Sequence, residues 1–285
     1  MLSNMSSLNI DLHCHSNISD GVLAPVQLLA RAAERSVNVL ALTDHDDTSG
    51  LTEAHAAAKH WGIHLINGVE ISVSWEYDTL HIVGLGINPD ALPLSTGLAS
   101  IRAGRKDRAA KIAVQLEKAG VHDALAGAWR HAMNPELIGR MHFARYMIEQ
   151  GICADVQTVF KRFMTRGKPG YVSHQWAALA DAVGWIRASG GQAVLAHPGR
   201  YPLGTGKMRA LLKAFSDAGG EGIEVVTSNH TPEQRARFTE LAKQFGLLAS
   251  RGSDFHSPGE TWRDLGRLPA LPATCRPIWQ NWDLN

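Results

Sequence analysis

Short apolar runs alternate along the chain with longer segments in which apolar residues recur at helical spacing. Runs of the first kind are typical of buried strands, and segments of the second kind of amphipathic helices. The predicted strands cover residues 8–12, 39–43, 64–72, 80–86, 192–196, 222–227 and 247–250. The predicted helices cover residues 25–35, 51–61, 177–189, 208–218 and 232–245. Strands that each lead into a helix predict a parallel α/β architecture.

One long stretch, residues 96–168, breaks this alternation. It is rich in Ala, Arg, Lys, Leu and Met at helical spacing and contains no convincing strand. We therefore expect a helical subdomain, inserted after the fourth strand, that shapes substrate specificity. Residues 1–95 and 169–285 would then form the main domain.

The composition is that of an ordinary globular protein, with 45% hydrophobic and 19% charged residues among 285. A formal net charge of +1 gives no general attraction to nucleic acid or to an anionic membrane, so recognition of an anion must come from a local cluster. No apolar run reaches the roughly 20 residues that a membrane-spanning helix needs. We expect no membrane contact, and nothing in the pattern indicates a stable protein partner.

The three cysteines, Cys14, Cys153 and Cys275, are odd in number, widely spaced and without a CxxC pair. This spacing argues against a disulfide framework and for a reducing compartment. The first residues also lack a basic stretch followed by an apolar one, so we expect a cytoplasmic protein.

Histidines and carboxylates recur where the predicted strands end. They occur as Asp11, His13, His15 and Asp20 after the first strand, Asp44, His45 and Asp46 after the second, Glu70 and His81 at the third and fourth, His197 after the fifth, and Asp254 and His256 after the last. In a barrel of parallel strands the carboxyl ends meet at one face, where active sites lie. These side chains should therefore converge.

Imidazole and carboxylate groups are ligands suited to zinc, manganese and iron. Residues two apart on a strand share a face, so His13 and His15 can reach one metal while Cys14 points into the core. A lone histidine is more often structural than a ligand. Chance placement, however, would scatter histidines through the helices instead of gathering six of them at strand ends.

Taken together, the motifs HxH, TDHD, GVE, a following strand histidine, AHP and GSDFH resemble those of the PHP family, the polymerase and histidinol phosphatase superfamily. The resemblance covers residues 8–86 and 191–256. It implies a distorted (β/α)7 barrel with two or three divalent metal ions, manganese first, with iron or zinc as alternatives. The implied ligands are His13, His15, Asp20, His45, Glu70, His81, His197, Asp254 and His256.

We expect Glu70, His197 and Asp254 to take part in catalysis, with Glu70 bridging two ions. One partition assigns His13, His15 and Asp254 to one ion, Asp20, His45 and His256 to a second, and His81 with His197 to a third. The free imidazole N–H groups need hydrogen-bond acceptors, and Asp11, Asp44 and Asp46 are nearby candidates. Turn-forming roles for these three aspartates are an equal alternative.

Within the family, the segment HCHSxxSDG and the helical insert resemble the branch of 3′,5′-nucleoside bisphosphate phosphatase and RNase AM. The resemblance implies release of the 3′-phosphate of adenosine 3′,5′-bisphosphate (pAp) to give AMP, with trimming of short RNA from its 5′ end as a related activity. The alternatives are a phosphatase for histidinol phosphate or another small phosphomonoester, amide or lactone hydrolysis, and a noncatalytic metal-binding module. The presence of all nine ligands opposes the last of these.

The insert opens with Arg102, Ala103, Gly104 and Arg105, two guanidinium groups around a glycine that permits close backbone approach. These residues are a candidate clamp for a second phosphate. The competing interpretation is a solvated helix face, because Lys106, Asp107, Arg108 and Lys111 follow directly.

Three further residues are candidates for substrate binding. Asn134 and Arg140 lie in an Asn-Pro turn and the helix after it, within expected reach of a ribose, base or phosphate. His230 follows the strand at residues 222–227, at the end of the barrel where a phosphate would bind.

Overall fold

The computed structural model describes residues 8–259 and 263–284. In this part of the chain a single mixed sheet carries eight strands. They are β1 Ile10–Cys14, β2 Val39–Leu42, β3 His64–Trp75, β4 Asp78–Leu85, β5 Ala177–Ala178, β6 Gln192–Leu195, β7 Gly222–Thr227 and β8 Leu248–Gly252. The ends of seven of these strands lie within three residues of the predicted ends. The eighth, β5, is a short pairing with β3 where a helix start was predicted.

The strand order is β1-β2-β3-β4-β6-β7-β8. All neighbours pair in parallel except β4, which is antiparallel to both β3 and β6. The expectation of parallel strands throughout is therefore wrong for β4. Only Glu76 and Tyr77 separate β3 from β4, and so short a connection permits a hairpin but no crossover to a parallel partner.

The two ends of the strand order approach each other. The Asp254 N–H donates to the His13 carbonyl at 2.7 Å, and the His15 N–H donates to the Phe255 carbonyl at 2.8 Å. The sheet therefore bends into the nearly closed, distorted (β/α)7 barrel that the resemblance implies. The reversed β4 is its main departure from a regular parallel barrel.

Nine α-helices are present in the described residues. They are α1 Pro25–Glu34, α2 Leu51–Trp61, α3 Leu92–Lys118, α4 Ala124–Arg130, α5 Arg140–Glu149, α6 Val156–Val159, α7 Leu179–Ala188, α8 Thr205–Asp217 and α9 Pro232–Gln244. Helix α9 begins at a proline after an N-cap: the Thr231 hydroxyl accepts the Gln234 N–H at 3.2 Å, and the Gln234 side chain accepts the Thr231 N–H at 2.9 Å. None of the helices in the described ranges has both the length and the apolar character needed to cross a bilayer.

Helices α3 to α6 interrupt the barrel where the helical insert was predicted, although α3 begins at Leu92 rather than at residue 96. Its first half packs on the barrel through Leu94, Leu98 and Ile101. Its second half joins a separate apolar cluster with α4 to α6, which includes Ile112 and Leu116. The long helix α3 therefore belongs to two cores.

Candidate metal centre

The structure brings all nine predicted ligands to one end of the barrel. His13 and His15 lie at the end of β1, Asp20 and His45 in loops after β1 and β2, and His197, Asp254 and His256 after β6 and β8. His81 lies near the start of β4 and still reaches the same edge, because β4 runs in the opposite direction.

Glu70 is in the middle of β3 and not at a strand end, which corrects the expected position. Strand β3 continues past the barrel edge into the hairpin with β4, so its midpoint lies level with the ends of its neighbours. The Glu70 N–H donates to the Asp44 carbonyl at 3.1 Å, and the Glu70 carbonyl accepts the Asp46 N–H at 2.9 Å. These bonds fix Glu70 beside His45.

The first group of ligand atoms joins His13, His15, Glu70 and Asp254, all buried. The Nε2 atoms of His13 and His15 are 3.1 Å apart, and His15 Nε2 lies 3.1 Å from Asp254 Oδ1. Both Nε2 atoms lie 3.4 Å from Glu70 Oε2. Four donor atoms therefore face one another at ion-binding separation.

A second group comprises His15, Asp20, His45 and His256. Asp20 Oδ1 is 3.3 Å from His256 Nε2, and Asp20 Oδ2 is 3.8 Å from His45 Nε2. His15 Nδ1 lies 3.9 Å from Asp20 Oδ1. His15 thus faces the first group through Nε2 and the second through Nδ1, whereas the predicted partition placed it in one group only.

A third group forms around the other oxygen of Glu70. Glu70 Oε1 lies 2.9 Å from both His81 Nδ1 and His197 Nε2, and these two nitrogens are 3.3 Å apart. Since Oε1 faces this group and Oε2 the first, the Glu70 carboxylate has the geometry expected of a bridge between two ions.

The carboxylates of the centre are held in their ionised form. Burial would raise the pKa of Glu70, but His81, His45 and His13 outweigh it and hold that pKa well below its usual value. For Asp254, Arg200 and His13 likewise outweigh burial and keep the pKa well below the usual range. Burial lowers the pKa of His45 to about 3, which leaves its ring nitrogens free of an extra proton at neutral pH.

Several buried polar atoms of the centre lack a hydrogen-bond partner in the described part of the chain. They are His15 Nδ1, Asp20 Oδ1, His45 Nδ1, Glu70 Oε2 and His197 Nδ1, whereas Asp254 Oδ2 is in ionic contact with Arg200. His45 Nδ1 and Glu70 Oε2 are only 3.0 Å apart, yet their orientation makes no hydrogen bond. Buried polar atoms are rarely left unpaired, so converging unpaired imidazole and carboxylate atoms fit a site for divalent cations.

Glu224 holds two of these ligands and was not predicted from the sequence. Its Oε1 accepts the His13 Nδ1–H at 2.8 Å, which turns His13 Nε2 toward the first group. Its Oε2 accepts the His197 N–H at 2.5 Å. The signal was a glutamate inside the apolar strand β7, where a fully buried carboxylate requires partners.

The three aspartates suggested as acceptors for ring N–H groups instead accept hydrogen bonds from groups distant in the sequence, so their role is structural without being confined to a turn. Asp11 accepts the N–H groups of Ser253 and Gly266, and Asp44 accepts the N–H and hydroxyl of Ser16 and the hydroxyl of Ser19. Asp46 binds the Ser72 N–H and hydroxyl. They hold the loops that carry the ligands.

The centre opens into a cavity of about 270 Å³. Its lining includes Asp20, His45, Glu70, His81, His197, Asp254 and His256 from the metal centre, and Arg105, Arg108, Arg140 and Arg200 from the surrounding elements. Phe160, Trp176 and Met141 add apolar surface. A molecule bound in this cavity would meet the metal-binding side chains on one side and guanidinium groups on another.

The predicted clamp is only partly placed in the cavity. Arg105 lines it but is paired with Asp46 through Nε, at 2.8 Å, and through Nη2. Arg102 donates to the Asp46 carbonyl at 2.8 Å and lies 3.7 Å from Asp47 Oδ2. Ala103 is exposed on α3. The space above Gly104 is filled by the His174 ring, since a Cβ there would lie 2.8 Å from it. The glycine therefore makes room for a histidine.

Asn134 and His230 are engaged within the protein. The Asn134 amide donates to Asp47 Oδ2 at 3.4 Å, and its oxygen caps the turn at Pro135–Leu137. His230 Nδ1 donates to the Val225 carbonyl at 3.0 Å, and Nε2 accepts the Gly199 N–H at 3.1 Å. Neither ring nitrogen of His230 is free for phosphate in this conformation. Arg140, by contrast, lines the cavity.

Comparison with known proteins gives one family and several close relatives. Residues 11–112 match the PHP domain family. The chain is 53% identical over 272 residues to the 3′,5′-nucleoside bisphosphate phosphatase of Chromobacterium violaceum, covering 95% of both chains. It is 43% identical over 275 residues to the 5′-3′ exoribonuclease Rnm of Salmonella typhimurium, covering 96% of this chain and 93% of that one.

A solved structure from Bifidobacterium adolescentis, a predicted metal-dependent phosphoesterase, has the same fold. Its TM-score is 0.80 at 25% identity, and the match covers 96% of this chain and 94% of the other. The fold therefore resembles that of a metal-dependent phosphoesterase, and the relatives by sequence are hydrolases that act on phosphate esters.

Proposed function

This chain belongs to the PHP family, and we propose that within it the protein releases the 3′-phosphate of nucleoside 3′,5′-bisphosphates, converting pAp to AMP and phosphate. The protein is a hydrolase of phosphoric esters, as its relatives are. The observation that carries the choice of substrate is the cavity, which joins a metal centre to a wall of arginines. A substrate with two phosphate groups matches both surfaces.

Divalent ions held by the nine ligands would supply an activated water and neutralise charge on the phosphoryl group. Two or three ions fit the three groups of ligand atoms, and manganese suits a set of imidazoles and carboxylates without thiolates. Glu70 would bridge two of them through its two oxygens. Glu224 would keep His13 in the ring orientation that binding requires.

The chain's own residues also organise the reacting phosphate. Burial and Arg200 lower the pKa of His197 to about 4, so the His197 ring is neutral at neutral pH, as a metal-binding imidazole must be. Arg200 lines the cavity and forms an ion pair with Asp254, which helps to hold that carboxylate ionised. Catalysis would thus rest on Glu70, His197 and Asp254 together with this surrounding charge.

Trimming of short RNA from its 5′ end is a second activity of the same centre. It is favoured by the identity of 43% to an exoribonuclease over nearly the whole chain. The chemistry at the phosphate is alike, and only the leaving group differs.

We assign the protein to the cytoplasm, in line with its free cysteines Cys14, Cys153 and Cys275. We also assign residues 96–168 to a specificity subdomain inserted in a barrel of residues 1–95 and 169–285, whose residues 1–7, 260–262 and 285 lie outside the described ranges.

A phosphate-release assay tests this function. Wild-type protein stripped with a chelator should be inactive, and added Mn²⁺ should restore release of phosphate from pAp at a higher kcat/KM than from histidinol phosphate. Asp254→Ala should lose activity on every phosphate ester, because one carboxylate of the first group is gone. Asp217→Ala, an exposed change on α8, is the matched control. Protein that stays inactive with pAp after addition of manganese, iron or zinc would contradict the proposal.

A further inference from the structure

Two arginines in the cavity wall have no acidic partner. Arg108 on α3 is only 9% exposed, and its one hydrogen bond within the described residues runs from Nε to the Val172 carbonyl at 3.2 Å. Arg140 begins α5, and no carboxylate lies within ion-pair distance of either guanidinium in the parts of the chain that the structure describes. Buried cations are normally paired, so the buried Arg108 and the half-buried Arg140 beside it require an explanation.

The electrostatic environment of these arginines is unfavourable without an anion. Burial, together with the nearby charges of Arg140 and Arg105, lowers the pKa of Arg108 to about 9. Burial also lowers the pKa of Arg140. Arg105 adds little free charge, because Asp46 neutralises it. The wall therefore carries uncompensated positive charge.

Aromatic rings hold the guanidinium groups in place. Arg105 and Arg108 lie over the Trp176 ring at 5.0 and 5.3 Å from its centroid, and Arg140 lies over Phe160 at 5.3 Å. Such contacts orient the cations without neutralising them. Both rings line the cavity.

The first turn of α5 faces the same space. Gly139, Arg140 and Met141 all line the cavity. The first N–H groups of a helix have no partner within the helix, and its amino end favours an anion. A cation at that position is unfavourable by itself, whereas an anion between the helix end and Arg108 would satisfy both.

We propose that Arg108, Arg140 and the amino end of α5 form the binding site for the second phosphate of the substrate, the 5′-phosphate of a nucleoside 3′,5′-bisphosphate. This assignment rests on the proposed function. The phosphate clamp predicted at Arg102 and Arg105 is thereby reassigned to Arg108, one turn further along α3, and Arg140, at the start of α5. Arg105 becomes a positioning residue that ties α3 to Asp46 and the barrel loop.

The proposal is tested with two substrates that differ only by the 5′-phosphate, pAp and 3′-AMP. Arg108→Met and Arg140→Met should each lower kcat/KM for pAp by about 10- to 100-fold, as expected for loss of a charged hydrogen bond. The kcat/KM for 3′-AMP should stay close to that of wild type. Lys106→Met, which removes a positive charge from an exposed position of the same helix, is the matched control.

Stability separates a binding role from a structural one. If Arg108 is kept for ligand binding, Arg108→Met should melt no lower than Lys106→Met, because the change removes an unpaired buried cation. AMP should raise the melting temperature of wild type but not that of Arg108→Met or Arg140→Met. Adenosine, which lacks the 5′-phosphate, should raise the melting temperature of none of the three proteins. A melting temperature lowered by Arg108→Met, or equal losses on pAp and 3′-AMP, would overturn the site. If wild type releases phosphate from neither substrate, the proposed function fails, and stabilisation by AMP still decides the site.

Discussion

Glu224 shows how one buried carboxylate organises residues far apart in sequence. It holds the ring of His13, on β1, and the backbone N–H of His197, which follows β6. His197 has a φ of 27°, and Asp254, another ligand, has a φ of 54°, so both lie in the left-handed region that side chains rarely adopt. Hydrogen bonds such as those of Glu224 are what keep ligands in such conformations.

Glu224→Gln should therefore weaken metal binding by about 10- to 100-fold, the range typical of lost partners of ligand histidines. The amide has nearly the same shape, but one of its two acceptors becomes a donor that opposes the His197 N–H. Titration of chelator-treated protein with Mn²⁺ by calorimetry measures the change. Glu221→Gln is the control, because Glu221 directly precedes β7 and binds Gln192 outside the metal centre. Equal Mn²⁺ affinities of the two variants would contradict this role of Glu224.

The sequence predicts the residues that recur and misses those that stand alone. The nine ligands were identifiable because histidines and carboxylates repeat at strand after strand. Arg108 follows Lys106 and Asp107, a context typical of solvated helix faces, and only the packing of α3 against α5 and Trp176 buries it. Glu224 had a detectable signal, since a charge inside the apolar strand IEVV must be paired.

At the scale of elements, His142 joins the insert to the barrel. It lies on α5, is fully buried, accepts the Gly139 N–H at Nδ1 at 3.0 Å, and donates from Nε2 to the Ser19 carbonyl at 3.1 Å. Both contacts require a neutral ring, and burial lowers the pKa of His142 to about 4.

This pKa predicts that acid loosens the contact between α5 and the barrel. In the unfolded chain the pKa of a histidine is near 6.5, so between pH 6.5 and about 4 the unfolded state binds more protons and the free energy of unfolding falls as the pH falls. His142 alone accounts for about 3 kcal/mol across that window. Denaturant unfolding of wild type and His142→Gln at pH 7 and pH 5 measures it. The variant should lose less stability on acidification, and identical losses would show that His142 does not titrate in this way.

The direction of β4 is another feature of this scale. The ranges of the strands were predicted well, but a parallel orientation was assumed for all of them. The predicted ranges 64–72 and 80–86 leave too few residues between them for a crossover helix, so the hairpin was recoverable from spacing alone. His81 was named as the ligand on this strand from the resemblance, and the reversed direction of β4 explains how a residue near its start reaches the metal centre.

At the scale of the whole molecule, two apolar cores share one helix. The helices α3 to α6 enclose Phe143, Met147 and their neighbours, while the barrel encloses a separate set that includes Phe215. All nine predicted metal ligands come from the barrel side.

Phe143→Ala should therefore destabilise the insert by about 3–5 kcal/mol and leave the bound metal in place. Hydrogen exchange should quicken in α4 and α5, kcat/KM for pAp should fall, and metal content measured by elemental analysis should be unchanged. Phe215→Ala is the comparison and should quicken exchange in α8 and the barrel strands. Equal loss of metal from both variants would show that the two cores open together.

The reversed direction of β4 also determines where helix α3 begins, and so where its arginines lie. It returns the chain to the end of the barrel far from the metal centre, where the Asn88 N–H donates to the Ser189 carbonyl. From there α3 rises about 40 Å along the barrel and past the cavity. Its register fixes where Arg105 and Arg108 point. One residue inserted between Leu98 and Arg105 would rotate both arginines by about 100°, away from the cavity. Loops such as that between α3 and α4 can vary in length, whereas in this helix the residue count sets the position of the proposed phosphate site.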